Sequence, residues 1–288
     1  MKIILSQGQG KLQLIQTSVC LKKKGLKVLY ITGWLPSNFP PALVNIIGDI
    51  VGRKDLYKRL MVRQPEGLTK QEVASCAIPE FYLWFLIILS RLKLIKEDSA
   101  WTAGWKFWGK CTKKYIRDAD IFHVRSGAGQ GGAIKRAKED KMVVVADHSI
   151  AHPIAMKKYL FKEYKRFGQP FDLDPDTSFW SLVIQDCIDA DYVVVNSEFV
   201  KDTFIENGFD PQKIKVIYLG VREDFIGIKK NWNLPIDMPV RLLFIGTFGF
   251  RKGARILIEA ILILNSRGVN VIVDILGTTE ELDILKKQ

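Results

Sequence analysis

Glycine-rich turns that join a short apolar strand to a helix are the parts of this 288-residue sequence best suited to chemistry. Free amide groups at the start of a helix, together with the positive end of the helix dipole, bind phosphate-like anions. Glycine lets the backbone turn tightly and approach such a ligand closely. The pattern therefore predicts sites for the phosphates of a nucleotide. Turns of this kind occur at Gly8 and Gly10, at GAGQGG (127–132), and at Gly246, Gly249 and Gly253.

The elements that hold these turns form the same unit at both ends of the chain. Residues 2–33 and 241–277 each give a strand, a glycine turn, a helix and a second strand. Between them, helices alternate with continuous apolar strands, which is typical of a mostly parallel sheet covered on both faces. We therefore predict an α/β fold with a Rossmann-like N-terminal domain over 1–225, a linker over 226–240, and the opening βαβ unit of a second Rossmann-like domain over 241–288.

The second domain is predicted to be incomplete. Only 11 residues follow Gly277, and an independent domain with a sheet of its own needs many more. We therefore expect these 288 residues to be part of a longer chain.

Three further segments of the first domain have clear local patterns. Residues 34–79 are punctuated by prolines and are predicted to be irregular. The apolar run FYLWFLIIL (81–89) is shorter than the roughly 20 residues that span a membrane and is predicted to be a buried helix. A helix over 177–188 precedes the strand DYVVV (191–195), and Ser197 suits the N-cap of the next helix.

The basic charge of the chain is concentrated in its first part. The net charge is +12, yet residues 1–120 hold 20 Lys and Arg against 9 Asp and Glu, and the remainder is almost neutral. This asymmetry indicates an anionic partner for the first domain. The four cysteines are far apart and form no metal-ligand spacing, which favours reduced thiols in an intracellular protein.

A helix over 101–117 combines aromatic and basic residues. Its sequence, WTAGWKFWGKCTKKYIR, places Trp101, Trp105, Trp108 and Tyr115 near one face. Such a helix can lie on an anionic membrane with that face inserted, or it can pack its tryptophans into the core. Nucleic-acid binding is disfavoured, because no nucleic-acid motif accompanies the charge.

Five stretches of the sequence, taken together, resemble one family of proteins. The stretches are ADYVVVNSEFVKDTFIENGFDPQKIKVIYLGV (190–221), FIGTFGFRKGARILIEAI (244–261), FHVRSGAGQGGAIKRAKED (122–140), DHSIAHP (147–153) and KEYKRFG (162–168). In them the chain is similar to the retaining glycosyltransferases of family 4, which are two-domain enzymes of the GT-B type. The resemblance implies an acceptor-side N-terminal domain and a donor-side C-terminal domain.

The resemblance also implies a set of residues that bind the diphosphate of the donor. Lys252 matches the family lysine that contacts the diphosphate, where a fixed positive charge stabilises the departing group. Thr247 stands where the family often has arginine. The remaining members of the set belong to the two glycine loops and are Gly246, Arg251, Gly8 and Gly10.

On the N-terminal side, the resemblance implies an acceptor region and a histidine beside the donor sugar. Arg125, Ser126 and Gly127 follow the end of a strand and are the acceptor-side candidates. His148 and His152 compete for the family histidine. His152 is favoured, because members of this branch keep a Ser/Ala-His pair at that place.

The implied reaction is transfer of a sugar from a nucleotide-diphosphate donor to a hydroxyl group, with retention of configuration and without a metal ion or other cofactor. The acceptor would be a glycan or a lipid-linked molecule of the cell envelope or of an exported polysaccharide. The enzyme would work in the cytoplasm, including the inner face of the membrane. Two family glutamates, eight residues apart, would fall beyond Gln288, so the alternative is a non-catalytic sugar-nucleotide-binding or regulatory remnant.

Overall fold

The structure, a computed structural model, describes the chain in five stretches: 1–8, 13–50, 56–221, 223–228 and 239–278. The chain forms two compact units: Met1–Ile154 with Asp174–Leu219, and Ala155–Leu173 with Gly220–Gln288. The two units are described separately below as the first unit and the second unit. The domain boundaries given by the sequence pattern stay a prediction.

A parallel sheet forms the centre of the first unit. Its strands are β1 (Lys2–Gly8), β2 (Lys27–Thr32), β3 (Val73–Ser75), β4 (Ile121–Arg125), β5 (Val143–His148), β6 (Tyr192–Val195) and β7 (Ile214–Val216). Within the described residues the order is β3-β2-β1-β4-β5-β6-β7, and every neighbouring pair is parallel. The central strands are buried on both faces, as their continuous apolar runs require.

Helices connect these strands. They are α1 (Leu14–Lys23), α2 (Pro41–Ile50), α3 (Leu56–Leu60), α4 (Ala77–Arg91), α5 (Glu97–Thr112), α6 (Ala133–Glu139), α7 (Pro153–Arg166), α8 (Ser178–Asp189) and α9 (Glu198–Ile205). Short 3-10 helices lie at Pro36–Asn38, Met61–Arg63, Lys70–Glu72, Lys113–Tyr115, Glu223–Phe225 and Phe250–Lys252. The expectation that 34–79 is irregular is wrong, because this segment contains α2, α3 and β3. Pro41 is the first residue of α2, where a missing amide proton costs nothing.

The helix–strand–helix order predicted after residue 176 is confirmed. The Thr177 hydroxyl accepts a hydrogen bond from the amide of Trp180 at the start of α8. The Ser197 hydroxyl accepts one from the amide of Val200 at the start of α9, at 3.2 Å. Each cap satisfies an amide that the helix itself leaves unpaired.

The aromatic face of α5 packs into the core of the first unit. Trp105 is 4% exposed and Trp108 is fully buried, while Trp101 and Tyr115 are partly buried against the same core. The Trp108 indole donates a hydrogen bond to Ser6 Oγ at 3.2 Å. Insertion of this face of 101–117 into a membrane is therefore wrong, and the alternative, packing of the tryptophans into the core, is what the structure shows.

One face of α4 departs from the expectation of a buried helix. Leu83 and Leu86 are buried, but Phe81, Phe85 and Ile88 lie on the opposite side and are exposed. The prediction that 81–89 is buried is therefore wrong for half of the helix. Over the described residues, no helix has both the length and the apolar character needed to cross a membrane.

The second unit contains a βαβ unit and most of α7. The parallel strands β8 (Val240–Ile245) and β9 (Val271–Leu276) flank α10 (Ala254–Ser266). In the same unit, the ring of Tyr164 from α7 stacks on Phe250 with centroids 4.4 Å apart. The predicted fold class, an α/β protein with a Rossmann-like parallel sheet and the opening βαβ unit of a second such domain, is confirmed.

Candidate functional site

The sequence candidates of the first unit meet where the strand order reverses. From β1 the chain adds β2 and β3 on one side of the sheet and then β4 to β7 on the other side. The direction in which strands are added therefore reverses between β1 and β4. In open parallel sheets, ligands bind outside the carboxyl ends of the strands at this point. The registers pair Ser6 with Val124, and Arg125 with Asp147, which brings Gly8, Arg125, Ser126 and His148 to one edge of the sheet.

His148 is held by Ser126 at this edge. Ser126 Oγ lies 2.8 Å from His148 Nδ1, and the imidazole is 2% exposed. Burial lowers the pKa of His148 to about 4, with further lowering by His152 and an opposing effect of Asp147. The imidazole is therefore neutral at neutral pH. Its Nε2 has no hydrogen-bond partner in the described part of the chain.

His152 has a different environment. Its ring packs edge-on against Phe204 and Phe209, with centroids 5.3 Å and 6.0 Å away, and its backbone amide donates to Thr203 Oγ1. Burial lowers its pKa. The His148 ring also packs edge-on against Phe204, with centroids 4.9 Å apart, so this packing is common to both histidines. The contact that differs is the one with Ser126, which brings His148 directly together with the acceptor-side candidates.

Asp147, the residue before His148, contacts several residues at this edge of the sheet. It was not predicted from the sequence. Its carboxylate accepts a hydrogen bond from Gln13 Nε2 at 3.0 Å and lies 3.4 Å from His123 Nε2. Its backbone carbonyl accepts from the amide of Ser126. A carboxylate at the end of an apolar strand, directly before His148, was the available signal. Across the described stretches, no three His, Cys, Asp or Glu side chains are grouped so as to hold a metal ion.

The Trp105 ring lies against both Arg125 and Gly8. The Arg125 guanidinium lies over the Trp105 ring, 5.2 Å from its centroid. Burial lowers the pKa of Arg125, and Asp147 opposes that shift, so a partly desolvated cation stands at the edge. Gly8 has φ +75°, and a Cβ there would lie 2.4 Å from the Trp105 ring. Only glycine fits between β1 and α5.

The glycine turn at 127–132 is filled by a carboxylate of the protein itself. The amides of Gly127 and Gly129 donate to Asp186 Oδ2 at 2.6 and 2.7 Å, and Gln130 Nε2 donates to Asp186 Oδ1 at 2.8 Å. Asp186 is fully buried, and this burial raises its pKa to about 7 against the effect of the three hydrogen bonds. Gly127 is thus a structural part of the edge, because its amide is already satisfied.

Several buried polar atoms near this edge have no partner in the described residues. Native proteins pair most such atoms, so a cluster of unpaired ones indicates a place that a ligand or water completes. The unpaired atoms are Gln7 Nε2, Trp105 Nε1, His148 Nε2 and His152 Nδ1. Of these residues, Gln7 and Trp105 were not found from sequence as site candidates, because nothing local marks a core side chain as unpaired.

The second unit brings together the donor-side candidates of its own glycine turn. Gly246 has φ +124° and donates its amide to Leu276, and Thr247 lies next to it. Arg251 and Lys252 are exposed in the 3-10 turn before α10. No described residue accepts a hydrogen bond from the amide of Thr247 or that of Gly249. Gly10, the remaining candidate, lies outside the described residues.

Several solved structures are similar to this chain at low sequence identity. They include UDP-GlcNAc 2-epimerase from Methanocaldococcus jannaschii (11% identity, TM-score 0.41, 95% of this chain and 65% of that chain). Others are the lipopolysaccharide outer core galactosyltransferase WaaB (14%, 0.42, 100% and 71%) and Arabidopsis thaliana UGT89C1 complexed with UDP-L-rhamnose (11%, 0.44, 96% and 68%). The chain spans about two thirds of the length of these structures, and likenesses at this level assign no function.

A family model gives the assignment. No curated protein matches the chain significantly. Residues 78–225, more than half of the chain, match the model of Glycosyltransferase Family 4. The matched stretch contains Arg125, Ser126, both candidate histidines and Asp186. The chain belongs to Glycosyltransferase Family 4.

Proposed function

We propose that the protein transfers a sugar from a nucleotide-diphosphate sugar to a hydroxyl group of a glycan or lipid-linked acceptor, with retention of configuration. We further propose that it does so in the cytoplasm, in the synthesis of a cell-envelope or exported polysaccharide. One observation carries the proposal beyond family membership. A neutral His148, held by Ser126 and with Nε2 unpaired, lies at the switch point of the parallel sheet.

The proposed reaction exchanges one bond at the anomeric carbon. The bond from that carbon to the diphosphate oxygen breaks, and a bond to the acceptor oxygen forms on the same face of the sugar. The proton of the acceptor hydroxyl passes to the departing diphosphate. Lys252 and the amino-terminal end of α10 stabilise the negative charge that grows on this group.

His148 acts in this proposal as a neutral hydrogen-bonding group. When the Ser126 hydroxyl donates to Nδ1, Nε2 carries the proton and donates to a hydroxyl of the bound sugar. The low pKa of His148 keeps this interaction free of a second positive charge. Arg125, held over Trp105, supplies the positive charge of the edge instead.

The intact mass of the protein from its native source is first compared with 32.8 kDa, the mass of these 288 residues. The test then compares two histidine variants of that protein. Consumption of UDP- and GDP-sugars is followed with a cell-envelope glycan fraction as acceptor. His148→Ala is expected to lower turnover by at least about 100-fold, and the matched control His152→Ala by less than about threefold. The proposal fails if no nucleotide sugar is consumed, or if His152→Ala lowers turnover strongly and His148→Ala does not.

A second measurement addresses the donor side. Calorimetric titration with UDP should show binding about tenfold weaker for Lys252→Ala, because the fixed charge on the diphosphate is lost. Arg267→Ala, an exposed cation at the other end of α10, is the control and should leave the affinity unchanged. Equal affinities of Lys252→Ala and the unaltered protein would remove Lys252 from the donor site.

A further inference from the structure

One face of α4 is an exposed apolar stripe. Its members follow one another at spacings of three and four residues, so they lie in a line along the helix. They are Ile78, Phe81, Phe85, Ile88 and Leu92, each between 42% and 71% exposed. The line is about 21 Å long, from the rise of 1.5 Å per residue. We call it the α4 stripe. Contiguous apolar surface of this kind marks an interaction site on a soluble protein.

A buried ion pair fixes which face of α4 points outwards. Glu80 is 2% exposed and accepts hydrogen bonds from Arg63 Nη2, at 2.8 Å to each carboxylate oxygen, and from the amide of Trp34 at 2.9 Å. On the same side, Leu83 packs so closely on Gly104 of α5 that a Cβ there would lie 2.6 Å from it. The only acidic side chain of α4 therefore faces inwards, and rotation about the helix axis would break these contacts.

Aromatic and basic side chains border the α4 stripe. Tyr82 and Trp84 are exposed beside it. At its carboxyl end, Arg91, Lys93 and Lys96 are exposed and form no ion pair within the described part of the chain. The nearest acidic residues in sequence are otherwise engaged, since Glu97 accepts from the Trp101 indole and Asp98 accepts from Ser178 and Phe179.

We propose that the α4 stripe lies in the plane of an anionic lipid bilayer. Its apolar side chains enter the boundary between headgroups and acyl chains, Tyr82 and Trp84 lie at headgroup level, and the three cations contact anionic headgroups. At 15 residues, α4 is too short to span the bilayer. The proposal goes beyond the proposed transfer reaction, and its test needs no sugar nucleotide.

Charge complementarity favours a bilayer over a second copy of this chain. The only acidic residue from 77 to 96 is Glu80, which is buried, so the same segment of a second copy offers no exposed carboxylate to Arg91, Lys93 and Lys96. An anionic bilayer has many negatively charged headgroups, which can contact all three cations. The basic balance of residues 1–120 adds to this attraction.

The test is co-sedimentation of the full chain with phosphatidylcholine vesicles that contain or lack phosphatidylglycerol. The unaltered chain should sediment with the anionic vesicles, and Phe81→Ser/Phe85→Ser should lower the partition coefficient at least about tenfold. Lys93→Gln/Lys96→Gln should lower it about tenfold and reduce the preference for phosphatidylglycerol. The matched control is Ile188→Ser, an equally exposed apolar residue on α8, which should change nothing.

Two results would overturn the proposal. One is sedimentation of Phe81→Ser/Phe85→Ser equal to that of the unaltered chain. The other is a dimer in solution that this double variant converts to a monomer while vesicle binding persists, since the stripe would then cover a second copy. If the double variant does not fold, brominated lipids provide a second measurement. They should quench the fluorescence of the unaltered chain more strongly than that of Trp84→Phe, and equal quenching would refute the proposal.

Discussion

Two glycine-rich turns, each placed between a strand and a helix, have opposite electrostatic surroundings. In the turn at 127–132, the amides of Gly127 and Gly129 already donate to the buried carboxylate of Asp186. In the turn that contains Gly246 and Gly249, the amide of Gly249 donates to no described residue, and the exposed cation Lys252 lies close by in the chain. The first turn is thus occupied by a carboxyl group of the protein, and the second is open to an anion from solution.

The difference shows what a glycine turn alone does and does not specify. Glycine makes the backbone conformation possible and exposes the amides, but the occupant depends on which side chain the rest of the fold brings there. Asp186 lies 59 residues after Gly127. The functional candidate is therefore the turn without a carboxylate, and the other turn is part of the framework that holds Arg125 and Ser126.

Removal of Asp186 should produce the largest effect. Asp186→Ala leaves the buried amides of Gly127 and Gly129 without an acceptor, so we expect a loss of about 4 kcal/mol in the free energy of unfolding. Urea unfolding measures it. The control is Asp189→Asn at the end of α8, which should cost less than about 1 kcal/mol. A loss as small as the control's would mean that Asp186 does not hold the turn.

The glycine of the first loop gives the next largest effect. Gly8→Ala adds a Cβ against the Trp105 ring at a positive φ, and we expect a loss of about 3 kcal/mol from strain and overpacking. Gly25→Ala is a matched control, because Gly25 has φ +80° but no atom within 4 Å of the added Cβ. It should cost only about 1 kcal/mol. Equal losses at the two positions in urea unfolding would show that Trp105 can move aside.

Local signals were sufficient for much of the fold and for part of the site. The apolar strand 191–195 and the cap at Ser197 carry their own signatures, and both were predicted. Asp186 was missed, although a signal existed: it lies on the same face of α8 as the buried Leu182 and Val183. A carboxylate on an apolar helix face needs partners, which only the folded chain identifies.

Other features depend on tertiary contacts that no local pattern contains. The segment 101–117 has aromatic and basic residues in a pattern that fits both a membrane surface and a core, and the contact of Trp108 with Ser6 decides between them. The run 81–89 is apolar on every side, so the sequence could not show that Glu80 would fix its orientation. For the same reason, the choice between His148 and His152 needed the position of Ser126.

The pH dependence of stability should separate the effects of two buried titrating groups of the first unit, His148 and Asp186. The folded-state pKa of His148, about 4, is below its usual value, so its contribution is present above pH 6.5 and is lost as the pH falls towards 4. The folded-state pKa of Asp186, about 7, is raised, so its contribution is present below pH 3.8 and is lost as the pH rises towards 7. The two trends oppose each other over the same window.

A variant that removes one of these groups should therefore show the pH dependence that the other group causes. Relative to the unaltered chain, Asp186→Asn should lose about 2 kcal/mol more stability between pH 6.5 and pH 4, and His148→Gln should show the opposite trend. Urea unfolding at several pH values provides the comparison. Parallel pH profiles for the two variants would contradict the assigned directions.

The smallest effect concerns the open turn of the second unit. Pyrophosphate, the simplest model of the donor's diphosphate, should raise the free energy of unfolding by about 1 kcal/mol at several times its dissociation constant, because it binds only the folded chain. Lys252→Ala should abolish this gain while leaving the stability without pyrophosphate within about 0.5 kcal/mol, since the lysine is exposed. Asp186→Asn should keep the gain, because the turn at 127–132 has no vacancy for an external anion. If Asp186→Asn lost the gain and Lys252→Ala kept it, the two turns would have the reverse of the roles argued above.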